Sequence, residues 1–140
     1  RNAPSREVNS LLFMPEGSAY WAKRPKDDPR MDWRNGGGSW IDEYVTSKKH
    51  PHRKVLVDVI SELGVESILE VGCNAGPNLD LLRELGFKVA GIDINADTIE
   101  KAKKEIPSGL FRVGEVTDLP FEDKSFDCGV SDAVLIFVGP

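Results

Sequence analysis

The sequence has few of the residues that build a disulfide framework, a zinc site or a membrane anchor. Among 140 residues there are two cysteines, Cys73 and Cys128, and two histidines. No Cys-x-x-Cys pair occurs, which argues against a zinc ribbon or a small disulfide scaffold. No apolar stretch reaches the roughly 20 residues that cross a bilayer, and no signal peptide opens the chain. We therefore expect a cytoplasmic protein with no membrane partner.

A surplus of positive charge is also missing. Lysine and arginine number 18 against 23 aspartates and glutamates, so the formal net charge is −5. This balance gives no general electrostatic attraction to nucleic acid, and we expect no nucleic-acid partner. Hydrophobic residues make up 40% and charged residues 29% of the chain, which is typical of one globular domain.

The two histidines, His50 and His52, lie two residues apart beside Pro51. No cysteine or carboxylate joins them at the spacing of a metal site, and we expect no metal. They are interpreted as exposed residues at the start of a helix. The alternative that His50, His52 or Arg53 borders a substrate entrance stays open.

Residues 1–50 differ in composition from the rest of the chain. They hold all three tryptophans and both tyrosines, together with proline and glycine punctuation such as Gly36, Gly37 and Gly38. Many aromatic residues with little periodicity indicate a segment that packs on another part of the molecule. Two interpretations are open: a lid over a ligand site, or an N-terminal wrap over the sheet. Residues 51–140 form the second predicted unit.

From Pro51 onward, helical and extended patterns alternate. Alternation of this kind predicts right-handed crossovers and a parallel sheet, and hence an α/β fold. The predicted strands are 67–71, 88–92, 110–113 and 126–131, and the predicted helices are 51–63, 77–85 and 96–106. The expected inward-facing residues of the first two helices are Val55, Leu56, Val59, Ile60, Leu63, Leu79, Leu82 and Leu85.

The first predicted strand carries an acid, Glu70, next to a turn bounded by Gly72 and Gly76. Glycine permits close approach of a ligand to the backbone, as in nucleotide-type sites. A carboxylate here would repel a pyrophosphate and attract a cation, by roughly 4 kcal/mol for unit charges about 4 Å apart at a dielectric near 20. Asn74 occupies the second glycine position of a dinucleotide fingerprint. Both features favour S-adenosylmethionine, which carries an ammonium and a sulfonium, over a dinucleotide.

Asp93 closes the second predicted strand, about 20 residues after the turn, where an acid can accept from both ribose hydroxyls. A helix cap is the competing interpretation, but Asn95 or Asp97 suits that role better. We therefore expect Asp93 to be left free for the ligand. Cys73, within the turn, is interpreted as a small residue that fits a tight backbone rather than as an activated thiol.

Residues 111–127 contain Leu119-Pro120-Phe121 and Ser125-Phe126-Asp127. Together with Ile68–Cys73 and Gly91-Ile92-Asp93, these motifs resemble the class I S-adenosylmethionine-dependent methyltransferases, in the small-molecule branch with a Leu-Pro-Phe-x-Asp-x-Ser-Phe-Asp segment. The resemblance covers about residues 51–138 and implies a Rossmann-like three-layer sandwich. The Leu-Pro-Phe segment is interpreted as a structural plug at the base of the sheet, and Asp127 as a turn cap.

The resemblance also implies roles for individual residues. The methionine part of the cofactor would contact Glu70, the turn backbone and Ser131, with Asp132 as a neighbour. Asp93 would bind the ribose and Ile94 would pack on the adenine. Glu115, which stands where the family usually has aspartate, and the N–H of Val116 would bind the adenine edge. The implied cofactor-binding residues are Glu70, Gly72, Cys73, Asn74, Gly76, Asp93, Ile94, Glu115, Val116 and Ser131.

A complete sheet of the resembled family has seven strands, and this sequence supplies four. We expect a truncated chain whose fourth strand has an open edge. Completion by a homodimer is expected, through residues 126–131 or by exchange of residues 133–140. The expected function is S-adenosylmethionine-dependent methyl transfer to a small molecule, with no catalytic residue assigned. The alternative is a non-catalytic remnant that binds cofactor or self-associates.

Overall fold

The computed structural model describes residues 17–25, 41–42 and 47–132. Much of the predicted lid or wrap, and the tail 133–140 expected to exchange, lie outside these described residues. The elements are α1 (Gly17–Lys23), a 3-10 turn (Ser47–Lys49), α2 (Pro51–Ser61), β1 (Ser67–Val71), α3 (Pro77–Glu84), β2 (Lys88–Asp93), α4 (Ala96–Glu105), β3 (Leu110–Val113) and β4 (Cys128–Ser131).

The four strands form one parallel sheet in the order β3-β2-β1-β4. The predicted α/β fold with a Rossmann-like parallel sheet is confirmed. All helix starts of the regular region agree with the sequence pattern, and β4 begins two residues later than expected. In the part of the chain that the structure describes, no helix has both the length and the apolar character needed to cross a membrane.

Alternation along β1 divides the two faces of the sheet. Ile68 is fully buried among the helices, whereas Leu69 and Val71 belong to a second apolar cluster on the other face. Glu70 shares the helical face with Ile68 because side chains two residues apart point the same way. This register places an acid against the helical layer at the carboxyl end of a central strand.

The predicted inner face of α2 is wrong in part. Val55, Val59 and Leu63 are 65%, 54% and 56% exposed, and the buried stripe is instead Arg53, Val57 and Ile60. These three residues recur at the i, i+4, i+7 spacing of one helix face. A hydrophobicity pattern does not identify this buried face, because its first residue is an arginine.

Leu85 is also a corrected expectation: it is 60% exposed, because it caps the end of α3 and lies beyond the buried stripe. The expected partners Leu79 and Leu82 are buried in the main core.

The Leu-Pro-Phe segment packs against the sheet face opposite the helices. The rings of Phe121 and Phe126 meet edge to face with centroids 5.1 Å apart, against the Leu69 cluster. The guanidinium of Arg112 lies 4.9 Å from the centre of the Phe121 ring. The Leu-Pro-Phe segment therefore has a packing role, in agreement with its interpretation from the sequence.

The expectation that Asp127 caps a local turn is wrong. One of its oxygens accepts from the backbone N–H groups of Glu66 and Ser67 and from the Ser67 hydroxyl, each at 3.0 Å. The Asp127 N–H donates to the same hydroxyl. These hydrogen bonds hold the pKa of Asp127 below its usual range. The aspartate therefore ties the start of β4 to the start of β1 across 60 residues.

Candidate functional site

The turn between β1 and α3 lies at the carboxyl edge of the sheet in a left-handed conformation. The φ angles are 73° at Gly72, 52° at Asn74 and 80° at Gly76. The N–H groups of Gly72 and Cys73 both donate to the carbonyl of Ile92, at 2.8 and 2.9 Å. Asparagine tolerates this conformation better than most residues, and Asn74 Oδ1 accepts from the next amide at 2.7 Å. Bonds to the end of β2 therefore preform the turn.

The Cys73 side chain belongs to the core rather than to an open surface. It is 2% exposed, and burial raises the pKa of its thiol well above the usual value. A Cβ built on Gly91 of β2 would lie 2.6 Å from Cys73 Sγ, so the two residues pack closely. Cys73 can therefore contribute only its backbone to a ligand, which is the packing role expected from the sequence.

Asp93 is not free of local bonds, which corrects the expectation from the sequence. Its Oδ2 accepts from the N–H of Asn74 and its Oδ1 accepts from the N–H of Asn95, both at 2.9 Å. Asn95 is the cap of α4, accepting from the N–H groups of Asp97 and Thr98. Asp93 thus joins the turn after β1 to the start of α4. Burial raises the pKa of Asp93, opposed by hydrogen bonds from Asn95, Asn74, Thr98 and Ile94.

Glu70 is a buried acid at this edge, 2% exposed. Its Oε1 accepts from Asn78 Nδ2 at 2.7 Å, whereas Oε2 is buried with no hydrogen-bond partner among the described residues. Burial raises the pKa of Glu70 to about 8, supported by the neighbouring carboxylates of Asp132 and Asp93 and opposed by Asn78 and Arg53. The cation attraction predicted from the sequence therefore requires that Glu70 ionise when the cation arrives.

Asn78 and Arg53 form a buried polar bridge behind Glu70. Arg53 Nη1 donates to Asn78 Oδ1 at 2.7 Å, and Asn78 Nδ2 also lies 3.3 Å from Asp132 Oδ2. The guanidinium is fixed by Ser47, whose carbonyl and hydroxyl accept at 3.0 and 2.8 Å. The bridge connects the first turns of α2 and α3 to the ends of β1 and β4.

The end of β4 completes this edge. Ser131 is exposed, and Asp132 Oδ2 lies 3.9 Å from Arg53 Nη1 and 3.7 Å from His52 Nε2. His50 Nδ1 and His52 Nδ1 are 2.7 Å apart, and both rings are exposed. The histidines and Arg53 therefore border the same edge as Glu70. Within the described ranges, no group of three or more potential ligands could hold a metal ion.

The residues expected to bind adenine belong to the segments that follow β2 and β3. Ile94 and Val116 are half-buried, and Glu115 is exposed. The N–H of Gly114 donates to the Asp93 carbonyl at 3.0 Å, which brings the segment after β3 to the end of β2. The structure therefore brings Gly114, which precedes Glu115, to the same edge of the sheet as Asp93.

Helix α1 is anchored near the same edge. Asn95 Nδ2 donates to the carbonyls of Trp21 and Arg24, at 2.7 and 3.0 Å. Arg24 is buried, with its guanidinium 4.9 Å from the Trp21 ring centre. α1 and Arg24 therefore contact the start of α4, two residues beyond Asp93.

Sequence reasoning did not single out Asn78, and it weighed Arg53 only as a possible border residue. A signal for both exists in the helical pattern. Asn78 shares a helix face with the buried Leu82, and Arg53 shares one with the buried Val57. A polar residue at the first position of an apolar stripe, on two helices that begin at the same sheet edge, predicts a buried polar site there.

A family model described as a methyltransferase domain matches residues 69–140, half of the chain. An uncharacterized 37.1 kDa protein in transposon TN4556 of Streptomyces fradiae is 30% identical over 104 residues, covering 69% of this chain and 30% of that protein. A demethylmenaquinone methyltransferase of Thermotoga maritima is 34% identical over 77 residues, covering 54% of this chain and 34% of that enzyme. The chain therefore spans about a third of the length of these curated relatives.

Among solved structures, magnesium protoporphyrin IX methyltransferase from Synechocystis PCC 6803, with bound S-adenosylmethionine, superposes with a TM-score of 0.62 at 15% identity. The superposition covers 99% of this chain and 67% of that chain, and at this identity it shows the fold alone. The parallel sheet, its glycine turn and the matched family model define a class I methyltransferase fold. The chain belongs to the methyltransferase domain family, among the class I S-adenosylmethionine-dependent methyltransferases.

Proposed function

We propose that the chain binds S-adenosylmethionine at the carboxyl edge of its sheet and takes part in methyl transfer to a small molecule. One observation carries the proposal: Glu70 is buried beside the glycine turn with Oε2 unpartnered among the described residues. An orphaned buried acceptor costs free energy, about 1–3 kcal/mol, unless a donor reaches it. A ligand ammonium is such a donor.

The residues present fit this cofactor. The turn from Gly72 to Gly76 offers backbone and an open helix start to the methionine part. Asp93 offers a carboxylate to the ribose hydroxyls, and Glu115 and Val116, proposed for the adenine edge, follow Gly114, whose N–H donates to the Asp93 carbonyl. We retain Ile94 for packing on the adenine and Ser131 as a second contact of the methionine part.

The methyl group of the cofactor is already activated by its sulfonium, so the main task of the protein would be to orient the two reactants and exclude water. Glu70 and the turn backbone hold the amino-acid part, and Asp93 holds the sugar, which fixes the position of the reacting end. His52, which faces Asp132, borders the site, but no general base is assigned.

A small molecule is the proposed acceptor class. The net charge of −5 disfavours a polyanionic nucleic acid, and the name of the demethylmenaquinone methyltransferase describes a relative that acts on a small molecule. The free thiols of Cys73 and Cys128 support a reducing, cytoplasmic location. We also propose residues 17–25 as part of a lid, because α1 is bonded to Asn95 beside the site.

We expect S-adenosylhomocysteine to bind with one site per chain and at least about tenfold more tightly than NADH, which carries a pyrophosphate. Isothermal titration calorimetry of both ligands measures this. Equal or tighter binding of NADH, or no binding of S-adenosylhomocysteine, would contradict the proposal. Binding without methyl transfer to any tested acceptor would favour the non-catalytic alternative.

We propose further that two copies associate through β4. Among the described residues, β4 pairs only with β1, so its other edge carries no strand. Unpaired strand edges attract partners because their N–H and C=O groups lack hydrogen bonds. Light scattering at micromolar concentration should give twice the monomer mass, and Val130→Pro should reduce it to the monomer mass. A monomer for the unsubstituted chain would exclude this contact.

A further inference from the structure

The orientation of the Asn78 amide follows from its partners. A guanidinium only donates, so the oxygen of Asn78 must face Arg53 and its NH₂ group must face the carboxyls. The observed contacts agree: Oδ1 accepts from Arg53, and Nδ2 donates to Glu70 and lies near Asp132. Both N–H groups and the oxygen of this 2%-exposed amide have hydrogen-bond partners. The Asn78 side chain therefore has one permitted arrangement.

The Asn78 amide in turn fixes the Glu70 carboxyl. Asn78 occupies Oε1, which leaves Oε2 as the buried atom without a partner among the described residues. Arg53, itself 5% exposed and held by Ser47, prevents the amide from turning away. Arg53 thus holds the amide that contacts Glu70, and its positive charge also lowers the pKa of Glu70.

We propose that Asn78, held by Arg53, is a positioning residue that presents Glu70 Oε2 to the ammonium of the cofactor, and that Glu70 releases one proton when this ammonium binds. The inference rests on the proposed function, since it concerns the same site. In the step, the O–H bond of Glu70 breaks and the proton passes to solvent. An N–H···O hydrogen bond from the ligand ammonium to the carboxylate then forms.

The charges around Glu70 support this coupling. Asp93 faces it from β2 and Asp132 from the end of β4, while the positive Arg53 faces it from α2 and the neutral Asn78 from α3. His52 Nε2 lies 3.7 Å from Asp132 Oδ2. With all three carboxyls ionised, negative charge exceeds positive charge in a buried space, which favours a protonated Glu70 until a cation arrives.

The pH dependence has a definite sign. Since the pKa of Glu70 is about 8, most ligand-free molecules at pH 6 carry a neutral carboxyl. The ammonium binds the ionised form better, so apparent affinity rises with pH until Glu70 ionises without ligand. Because the ionised fraction of Glu70 rises from about 1% at pH 6 to about half at pH 8, we expect S-adenosylhomocysteine to bind about 50-fold more tightly at pH 8 than at pH 6. The adenosine analogue 5′-methylthioadenosine, which lacks the ammonium, should show no such change.

The primary test is calorimetry of Glu70→Gln between pH 6 and 8 in two buffers of different ionisation enthalpy. The unsubstituted chain should release close to one proton on binding at pH 6.5. The variant should release none, and its affinity should be flat with pH and at least about 50-fold below the unsubstituted chain at pH 8. Glu62→Gln, at the exposed end of α2, is the matched control and should behave as the unsubstituted chain.

Asn78→Ala tests the positioning role. Because the Asn78 hydrogen bond lowers the pKa of Glu70, its removal should raise the titration midpoint of the Glu70 carboxyl in the free protein. Carbon-13 NMR of the side-chain carboxyl measures this midpoint, which a merely structural role would leave unchanged. A midpoint unchanged in Asn78→Ala overturns the positioning role. If that variant does not fold, Asn78→Ser, which cannot bridge both partners, provides the same comparison.

The two proposals fail in different ways. Binding of S-adenosylhomocysteine with pH-independent affinity and no proton release overturns the coupling but leaves the proposed function standing. Absence of binding at every pH overturns the proposed function and this inference with it. A Glu70 carboxyl that titrates near its ordinary value of 4.5 in the free protein overturns the coupling by itself.

Discussion

Replacing Asp93 with alanine is expected to weaken S-adenosylhomocysteine binding about 100-fold. Two ribose hydroxyls donating to a carboxylate contribute about 3 kcal/mol together, since hydrogen bonds to charged groups are worth about 1.5–3 kcal/mol each. The same variant should lose about 2 kcal/mol of unfolding free energy, because the N–H groups of Asn74 and Asn95 lose their acceptor. Calorimetry and urea unfolding measure the two effects.

Two comparison variants separate the effects. Asp97→Ala removes a neighbouring exposed acid of α4 and should change the affinity less than twofold. Asp93→Asn keeps one acceptor oxygen but turns an NH₂ group toward a backbone N–H, so it should be destabilised like the alanine variant. If the affinity of Asp93→Ala for S-adenosylhomocysteine is within threefold of that of the unsubstituted chain, Asp93 does not bind the ribose. If Asp93→Ala unfolds at the same urea concentration as the unsubstituted chain, Asp93 does not stabilise the fold.

Gly91→Ala is expected to lower the free energy of unfolding by about 3 kcal/mol. A Cβ at this position would lie 2.6 Å from Cys73 Sγ, 2.9 Å from Cys73 Cβ and 2.9 Å from Leu79 Cδ1. None of these neighbours can yield cheaply. Cys73 is bonded through its N–H to Ile92, and Leu79 is fully buried. Chemical denaturation monitored by circular dichroism gives the measurement.

Gly129→Ala is the matched control. Gly129 lies on β4, on the other side of β1 from Gly91, and a Cβ there meets nothing within 4 Å. Alanine should therefore be neutral, or stabilise by up to about 1 kcal/mol, because glycine weakens a strand entropically. Equal losses at both positions would show that the close approach of Cys73 to β2 is not what limits the side chain at Gly91.

The backbone plan was largely predictable from local pattern. Short apolar runs bounded by Gly64, Gly86 and Pro107 mark where strands and helices alternate, and β1 coincides with its predicted bounds. The face of α2 was not predictable from hydrophobicity, because its buried stripe begins with Arg53. A hydrophobic pattern selects apolar residues, whereas burial here is decided by a hydrogen-bond partner on another helix.

For the candidate site, the sequence placed Glu70 and Asp93 at strand ends, and parallel connection brings such ends to one edge. It did not reveal that Asp93 is bonded to two backbone amides, or that Asn78 bridges Glu70 and Arg53. These contacts join residues from separate elements, and their distances depend on how the helices pack on the sheet.

By itself, the sequence determined how strands and helices alternate along the chain, where the glycine turn lies and which acids end the strands. These features depend on short-range spacing. Only the tertiary structure decided the charge of Glu70. Desolvation and the nearby carboxylates of Asp132 and Asp93 raise its pKa to about 8, and both causes arise only when distant segments of the chain are packed together.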